Sequence, residues 1–176
     1  VVRRKWLFDV REVDPVVGER GERPLAYADD LGLLAESTFV AHCVHADGSE
    51  VDVLAETGTA VVHCPASNMK LASGMAPVQA MLDAGVTVGL GTDGAASNND
   101  LDLFDELRDA AMVGKLEADD AAAVAAPDVV RAATEGGAKL LGFDAGRIEA
   151  GAPADLAVVD LRKPHPTPRH DLVSHL

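Results

Sequence analysis

Three short apolar runs recur along the middle of this chain, each parted from the next by a helix-sized segment. They are Thr38-Phe39-Val40-Ala41-His42, Ala60-Val61-Val62-His63 and Thr87-Val88-Gly89-Leu90. Strands separated in this way do not close as hairpins; they line up parallel through right-handed crossovers. Val61-Val62 and the run from Val86 to Leu90 are apolar on consecutive positions, the pattern of strands covered on both faces. The intervening segments carry matching punctuation. Asp47 and Ser49 stand at N-cap positions, Val51, Leu54 and Ala55 follow at helical spacing, and Gly58 closes the helix. Pro77 suits the first turn of a second helix, with Val78, Met81 and Leu82 inward and Gly85 as its stop. A third helix from about Asp100 carries Leu103, Phe104, Leu107 and Ala111 on one side, with Asp100, Asp102 and Asp105 at the positive end of its dipole. Pro127-Asp128 opens a fourth, with Val129, Val130, Ala133, Leu140 and Leu141 inward, although Gly136-Gly137 work against helix. The predicted class is α/β with a parallel sheet.

A parallel barrel gathers the C-terminal ends of its strands on one rim. Here those ends carry His42, His63 and, within Leu90-Gly91-Thr92-Asp93-Gly94-Ala95-Ala96-Ser97-Asn98-Asn99, the carboxylate of Asp93. A carboxylate after a strand can ligate a cation or take a proton from metal-bound water, and Thr-Asp-Gly is equally good turn chemistry. Ser97-Asn98-Asn99 fits the N-capping of the next helix. A histidine at a strand end is either a hydrogen-bonded core residue or a functional one. Cys64 to Gly74 reads as a long connection, a place where function concentrates. His165, His170 and His175 lie in a proline-rich tail without ligand spacing. The chain has no Gly-rich phosphate loop, no Gly-x-Ser-x-Gly and no His-Glu-x-x-His. From the residues alone the reading ends at part of a parallel barrel with a partial metal or acid–base rim.

Length and charge narrow this further. A complete (β/α)8 barrel takes roughly 200–250 residues, and this chain has 176. Its formal charge of −14 argues against a nucleic-acid partner, since phosphate binding needs clustered Lys and Arg. The acidic residues, Asp100, Asp102, Asp105 and Glu106 among them, read as solvated faces; with few aromatics they resemble the composition of proteins from salt-loving organisms. Cys43 and Cys64 make neither a zinc-ribbon spacing nor a disulfide framework, so buried thiols in a reducing cytoplasm are expected. No apolar run suggests a membrane span, and Val1 to Phe8 is too short in its apolar part for a signal peptide. After Gly142 the texture turns loop-rich. Gly146 to Pro153 is turn-forming, Asp155-Leu156-Ala157-Val158-Val159-Asp160 reads as a strand, and Pro164, Pro166 and Pro168 follow. The predicted division is residues 1–143 and 144–176.

Ala41-His42-Cys43-Val44-His45, His63-Cys64-Pro65-Ala66-Ser67-Asn68-Met69-Lys70-Leu71 and Gly91 to Asn99, in that order, resemble the amidohydrolase superfamily. The branch they resemble holds methylthioadenosine/S-adenosylhomocysteine deaminases together with triazine and N-ethylammeline chlorohydrolases. Gly146-Arg147-Ile148-Glu149-Ala150-Gly151 to Asp160 resembles that family's re-entry into a small β-sandwich. The resemblance implies the C-terminal half of a (β/α)8 TIM barrel of the metal-dependent hydrolase type, strands five to eight, over residues 1–143. Residues 144–176 would then start the β-sandwich. It implies one divalent metal at the rim, usually zinc, with iron or manganese as alternatives. Asp93 is implied as metal ligand and proton acceptor, His42 as hydrogen-bond partner of the attacking water, and His63, Ser97 and Asn98 as residues supporting them.

The implied reaction is hydrolytic deamination of an adenosine-type substrate, S-adenosylhomocysteine or methylthioadenosine. A chlorohydrolase or guanine deaminase-like aminohydrolase is the alternative, with a small-molecule nucleoside or triazine as partner in either case. A non-catalytic remnant is the alternative of another class. The chain departs from the family pattern at its start. It has no His-x-His pair, and aligning Glu12-Val13 puts Lys5 and Phe8 where the family has a metal-binding His and a proton-shuttling Glu. The expectation is therefore a fragment, a frame-disrupted gene or one piece of a split barrel. Alone it would bind no zinc and be inactive, and its open sheet edges would favour a homo-oligomer.

Overall fold

The computed structural model describes residues 23–162, 167, 168 and 170–175. Lys5, Phe8 and Glu12-Val13 lie outside the described residues, as do Pro164, His165 and Pro166. In chain order the elements are α1 (Pro24–Asp30), β1 (Phe39–Ala41), α2 (Gly48–Thr57), β2 (Ala60–His63), α3 (Pro65–Lys70), α4 (Val78–Asp83) and β3 (Val88–Leu90). They continue with α5 (Ala95–Asn98), α6 (Leu103–Ala118), α7 (Ala126–Arg131), a π turn (Ala132–Gly136), α8 (Gly137–Leu141) and a final 3-10 turn (Val173–His175).

The three strands pair parallel in the order β1-β2-β3, with Val40 opposite Val61 and Val61 opposite Val88. Spatial order equal to chain order is what successive crossovers of one hand produce. Alternation sends Val40, Val61 and Val88 to one face, where they join Val51, Leu54, Met81, Leu107 and Val129 of the helical layer and Val124 of the connection between α6 and α7. Phe39, Ala60 and Val62 take the other face, with Leu140 of α8 against them.

Of the two N-cap candidates of α2, Asp47 takes the position, and Ser49 lies inside the helix with its Oγ donating to Asp47 Oδ1 at 2.7 Å. Asp47 accepts from the Glu50 backbone N–H and the Glu50 carboxylate accepts from that of Asp47, a reciprocal capping box, while Gly58 closes the helix at φ 68°. Glu50 is buried because it also receives Arg23 Nε at 2.9 Å and the Leu25 N–H at 3.3 Å, which ties α1 to α2.

Several local expectations are corrected. The connection after β2 holds the short helix α3, opened by Pro65. The buried side of α6 is Glu106, Leu107, Ala110, Val113 and Gly114, leaving Leu103 and Phe104 substantially exposed. Close approach selects that side: a Cβ at Gly114 would lie 2.4 Å from Val124 Cγ2. Ser97-Asn98-Asn99 does not cap α6; that position belongs to Asp102, which accepts from the Phe104 N–H at 2.8 Å. Leu141 is exposed, and Gly136-Gly137 bridge the π turn and α8 within one helical run. Asp155 to Asp160 pairs with no strand among the described residues, and Val158 is 96% exposed. An alternating segment becomes a strand only when a neighbour accepts its backbone hydrogen bonds. Among the described residues no helix is long and apolar enough to cross a membrane.

Candidate active site

The site forms where the three strands end. The His42 N–H donates to Val62 O at 2.9 Å and the Gly91 N–H to His63 O at 3.0 Å, so the strand exits are tied at one level. The chain then turns sharply. His42, Cys43 and Asp93 adopt φ of 66°, 49° and 60°, in the left-handed region that residues bearing a Cβ rarely occupy. Such positions cost on the order of 1–3 kcal/mol and cluster at functional sites.

Asp93 is the focus. Its Oδ2 accepts from Ser67 Oγ at 2.6 Å and from Ser97 Oγ at 2.8 Å, and its side chain remains 26% exposed. His42 is buried, with Nε2 at 3.9 Å from the same oxygen and Nδ1 at 2.7 Å from Asn68 Oδ1. Placed against an amide oxygen, Nδ1 is the donor, and Nε2 is directed to the carboxylate side of the site. The rim thus brings Asp93, His42 and Ser97 together.

His63 is also buried beside this group, and burial pushes its pKa down to about 4, with repulsion from His42 adding to the effect. It is therefore neutral at pH 7. Neither of its ring nitrogens, nor Asn68 Nδ2, finds a hydrogen-bond partner among the described residues, an uncommon state for buried polar atoms. Asn98 is oriented elsewhere: its Nδ2 donates to Glu106 Oε1 at 2.5 Å and its Oδ1 accepts from the Leu101 N–H at 2.8 Å. Cys43 and Cys64 are buried free thiols, and burial with the Glu50 charge pushes the Cys43 pKa up to about 12, which rules it out as a nucleophile.

Sequence reasoning missed three residues. Ser67 and Asn68 sat in what read as a loop, where hydroxyl and amide side chains usually serve their own backbone. Glu106 was counted among solvated acids and is fully buried. Its helical spacing from Ala110 and Val113 was the available signal.

Asp93 is a carboxylate of the kind a cation can take, but no three His, Cys, Asp or Glu side chains converge as a metal-binding group among the described residues. Tetrahedral zinc takes four ligands, so these residues do not by themselves fit such a site.

Known proteins resemble this chain in sequence and fold. The chain is 74% identical, over 165 residues, to the 5-methylthioadenosine/S-adenosylhomocysteine deaminase of Natronomonas pharaonis, covering 94% of this chain and 38% of that protein. It is 48% identical to the 5'-deoxyadenosine deaminase of Methanothermobacter thermautotrophicus, covering 93% of this chain and 38% of that one. Among solved structures, a zinc-bound adenosine deaminase from Xanthomonas campestris superposes with a TM-score of 0.85 at 49% identity, covering 88% of this chain and 36% of that chain. A zinc-complexed atrazine chlorohydrolase from Arthrobacter aurescens does so at 0.81 and 33% identity, covering 86% and 34%. The chain thus spans about 38% of the length of the curated relatives it matches. The parallel strand–helix order is that of part of a metal-dependent-hydrolase (β/α)8 barrel. Residues 12–175 match the amidohydrolase family, with Asp93 and His42 on the strand ends within that stretch, and the chain belongs to this family.

Proposed function

We propose that this chain supplies the Asp93–His42 rim of a hydrolytic deaminase acting on adenosine-type nucleosides such as S-adenosylhomocysteine or methylthioadenosine. The single observation that carries the reading is the convergence of two hydroxyl donors and a histidine nitrogen on Asp93 Oδ2. The deaminase names of the relatives support the substrate class. Residues 1–143 form the barrel part in this reading, and residues 144–176 begin a second, smaller β unit. Zinc is bound in the two solved structures; here Asp93 would be one ligand, and the others must come from outside the described residues.

The chain's own groups have definable roles. Water adds to the purine carbon bearing the amino group, and Asp93 takes one of its protons and returns it to the nitrogen that leaves as ammonia. Ser67 and Ser97 hold the accepting oxygen. His42 Nε2 hydrogen-bonds to the incoming oxygen, with its ring fixed by Asn68. His63 stays neutral behind it, so no second cation competes for Asp93. Chlorohydrolysis on the same rim is the second reading, favoured by the 0.81 superposition and set behind the first by identities of 33% against 74%.

The test is a chimera in which residues 12–175 replace the matching segment of the Natronomonas pharaonis deaminase. We expect ammonia release from S-adenosylhomocysteine, abolished by Asp93→Asn and reduced about 100-fold or more by His42→Ala, as when a positioned donor is lost. Turnover retained in Asp93→Asn, or a folded, zinc-loaded chimera that releases no ammonia, refutes the assignment. The 176-residue chain alone is expected to show no turnover.

A further inference from the structure

Glu106 lies on α6 and has no exposed surface. Its two oxygens serve two different connections. Oε2 accepts from the Ala66 backbone N–H at 3.2 Å, in the first turn of α3, which follows β2. Oε1 accepts from Asn98 Nδ2 at 2.5 Å, at the end of α5, which follows β3. The residue next to each anchor is one of the two serines that meet on Asp93: Ser67 beside Ala66, and Ser97 beside Asn98. Asn98 Oδ1 in turn takes the Leu101 N–H and fixes the turn into α6.

Burial raises the Glu106 pKa, the Ala66 and Asn98 donors hold it down, and Asp109 and Asp100 add to the upward push. A buried carboxylate is costly unless both oxygens are satisfied. A carboxylate presents two acceptor atoms, whereas an amide presents one. Both partners here are donors, so the position calls for an acid.

We infer that Glu106 is a positioning residue for Asp93: it pins the first turn of α3 and the end of α5 to α6, so that Ser67 and Ser97 donate to one carboxylate oxygen. The clamp stands on geometry alone; only its consequence for turnover rests on the deaminase reading.

The test is amide hydrogen exchange in the 176-residue chain, read at Ala66 and Leu101 against the sheet amide of Val61, which bonds Thr87 O at 2.9 Å. Glu106→Gln should speed exchange at Ala66 and Leu101 by about tenfold or more, the scale of one lost charged hydrogen bond, with Val61 unchanged. In Glu106→Gln/Asn98→Asp the amide nitrogen at 106 donates to the carboxylate at 98, while the amide oxygen still accepts from Ala66. Protection should return at both sites, an outcome that mere loss of a buried charge does not produce. In crystals of Glu106→Gln, Ser67 Oγ and Ser97 Oγ should no longer both reach Asp93 Oδ2. Unchanged exchange in the single variant, no recovery in the double variant, or both serines still bonded to Asp93 overturns the inference. If Glu106→Gln alone does not fold, Asn98→Asp sets two carboxylates face to face, and adding Glu106→Gln must recover Ala66 protection; failure there also overturns it.

Discussion

Gly136 and Gly137 are neighbours in one helical run, yet alanine should act on them with opposite sign. Helix propensity alone favours Gly→Ala by about 1 kcal/mol at either position. A Cβ at Gly137 would meet its nearest neighbour, Ala132 O, at 3.7 Å, an ordinary contact. A Cβ at Gly136 would lie 2.0 Å from the carbonyl oxygen of Val88 in β3. Ordinary contact begins near 3.4 Å, so the helix must retreat by 3.4 − 2.0 = 1.4 Å, and a strand backbone cannot yield as a flexible side chain can. The retreat also loosens Leu140, which packs so tightly on β3 that a Cβ at Gly89 would sit 2.1 Å from its Cδ2. Overpacking of this kind costs about 1–3 kcal/mol, and loss of Leu140 packing adds to it. We expect Gly136→Ala to destabilise by about 2 kcal/mol net and Gly137→Ala to stabilise by up to about 1 kcal/mol. With urea slopes of about 1–3 kcal/mol per M, the two unfolding midpoints should separate by about 1 M or more. Equal midpoints, or Gly136→Ala as the more stable variant, would refute the claim that helix and strand touch backbone to backbone here.

Acid should expose His63. Above its unfolded pKa of about 6.5 the ring is neutral in both states; between there and its folded value of about 4 only the unfolded chain takes the proton, so stability falls as pH drops through that window. His63→Leu should flatten this limb by up to about 3 kcal/mol in pH-dependent denaturation, and an unchanged limb would show that His63 is not buried neutral. Asp47→Ala removes the capping box of α2 and should cost about 1 kcal/mol, read as a lower Tm. Cys43 should resist thiol reagents in the native state at pH 8 and react once urea unfolds the chain; rapid native labelling would contradict its burial.

The sequence made the regular parts legible because their signals are local. One N-cap candidate, Asp47, and Gly58 mark the ends of α2, and the apolar runs through Val40, Val61 and Val88, parted by helix-sized segments, mark the parallel strands. Four parts depended on contacts far along the chain. Phe104 looks like a core anchor of α6 until Ala110, Val113 and Gly114 are seen to take the close approach of Val124. Glu106 looks solvated until its oxygens meet Ala66 and Asn98, residues on two other elements. Asn98, expected beside Asp93, is turned to Glu106 instead, while Ser67 and Asn68, which no periodicity marks, reach Asp93 and His42. Gly136 looks like a helix weakness because the strand that requires it lies almost fifty residues earlier.

The left-handed turns at His42, Cys43 and Asp93 limit which sequences can occupy this rim. A substitution there is filtered twice, by chemistry and by backbone, and at 93 the backbone favours Gly, Asn, Asp and His. Valine or isoleucine at 93 would be rejected for shape before its lack of a carboxylate mattered. Glycine would relax the turn while erasing the acid, so a screen that selects for robustness alone should drift toward Gly at 93 and discard the chemistry along the way.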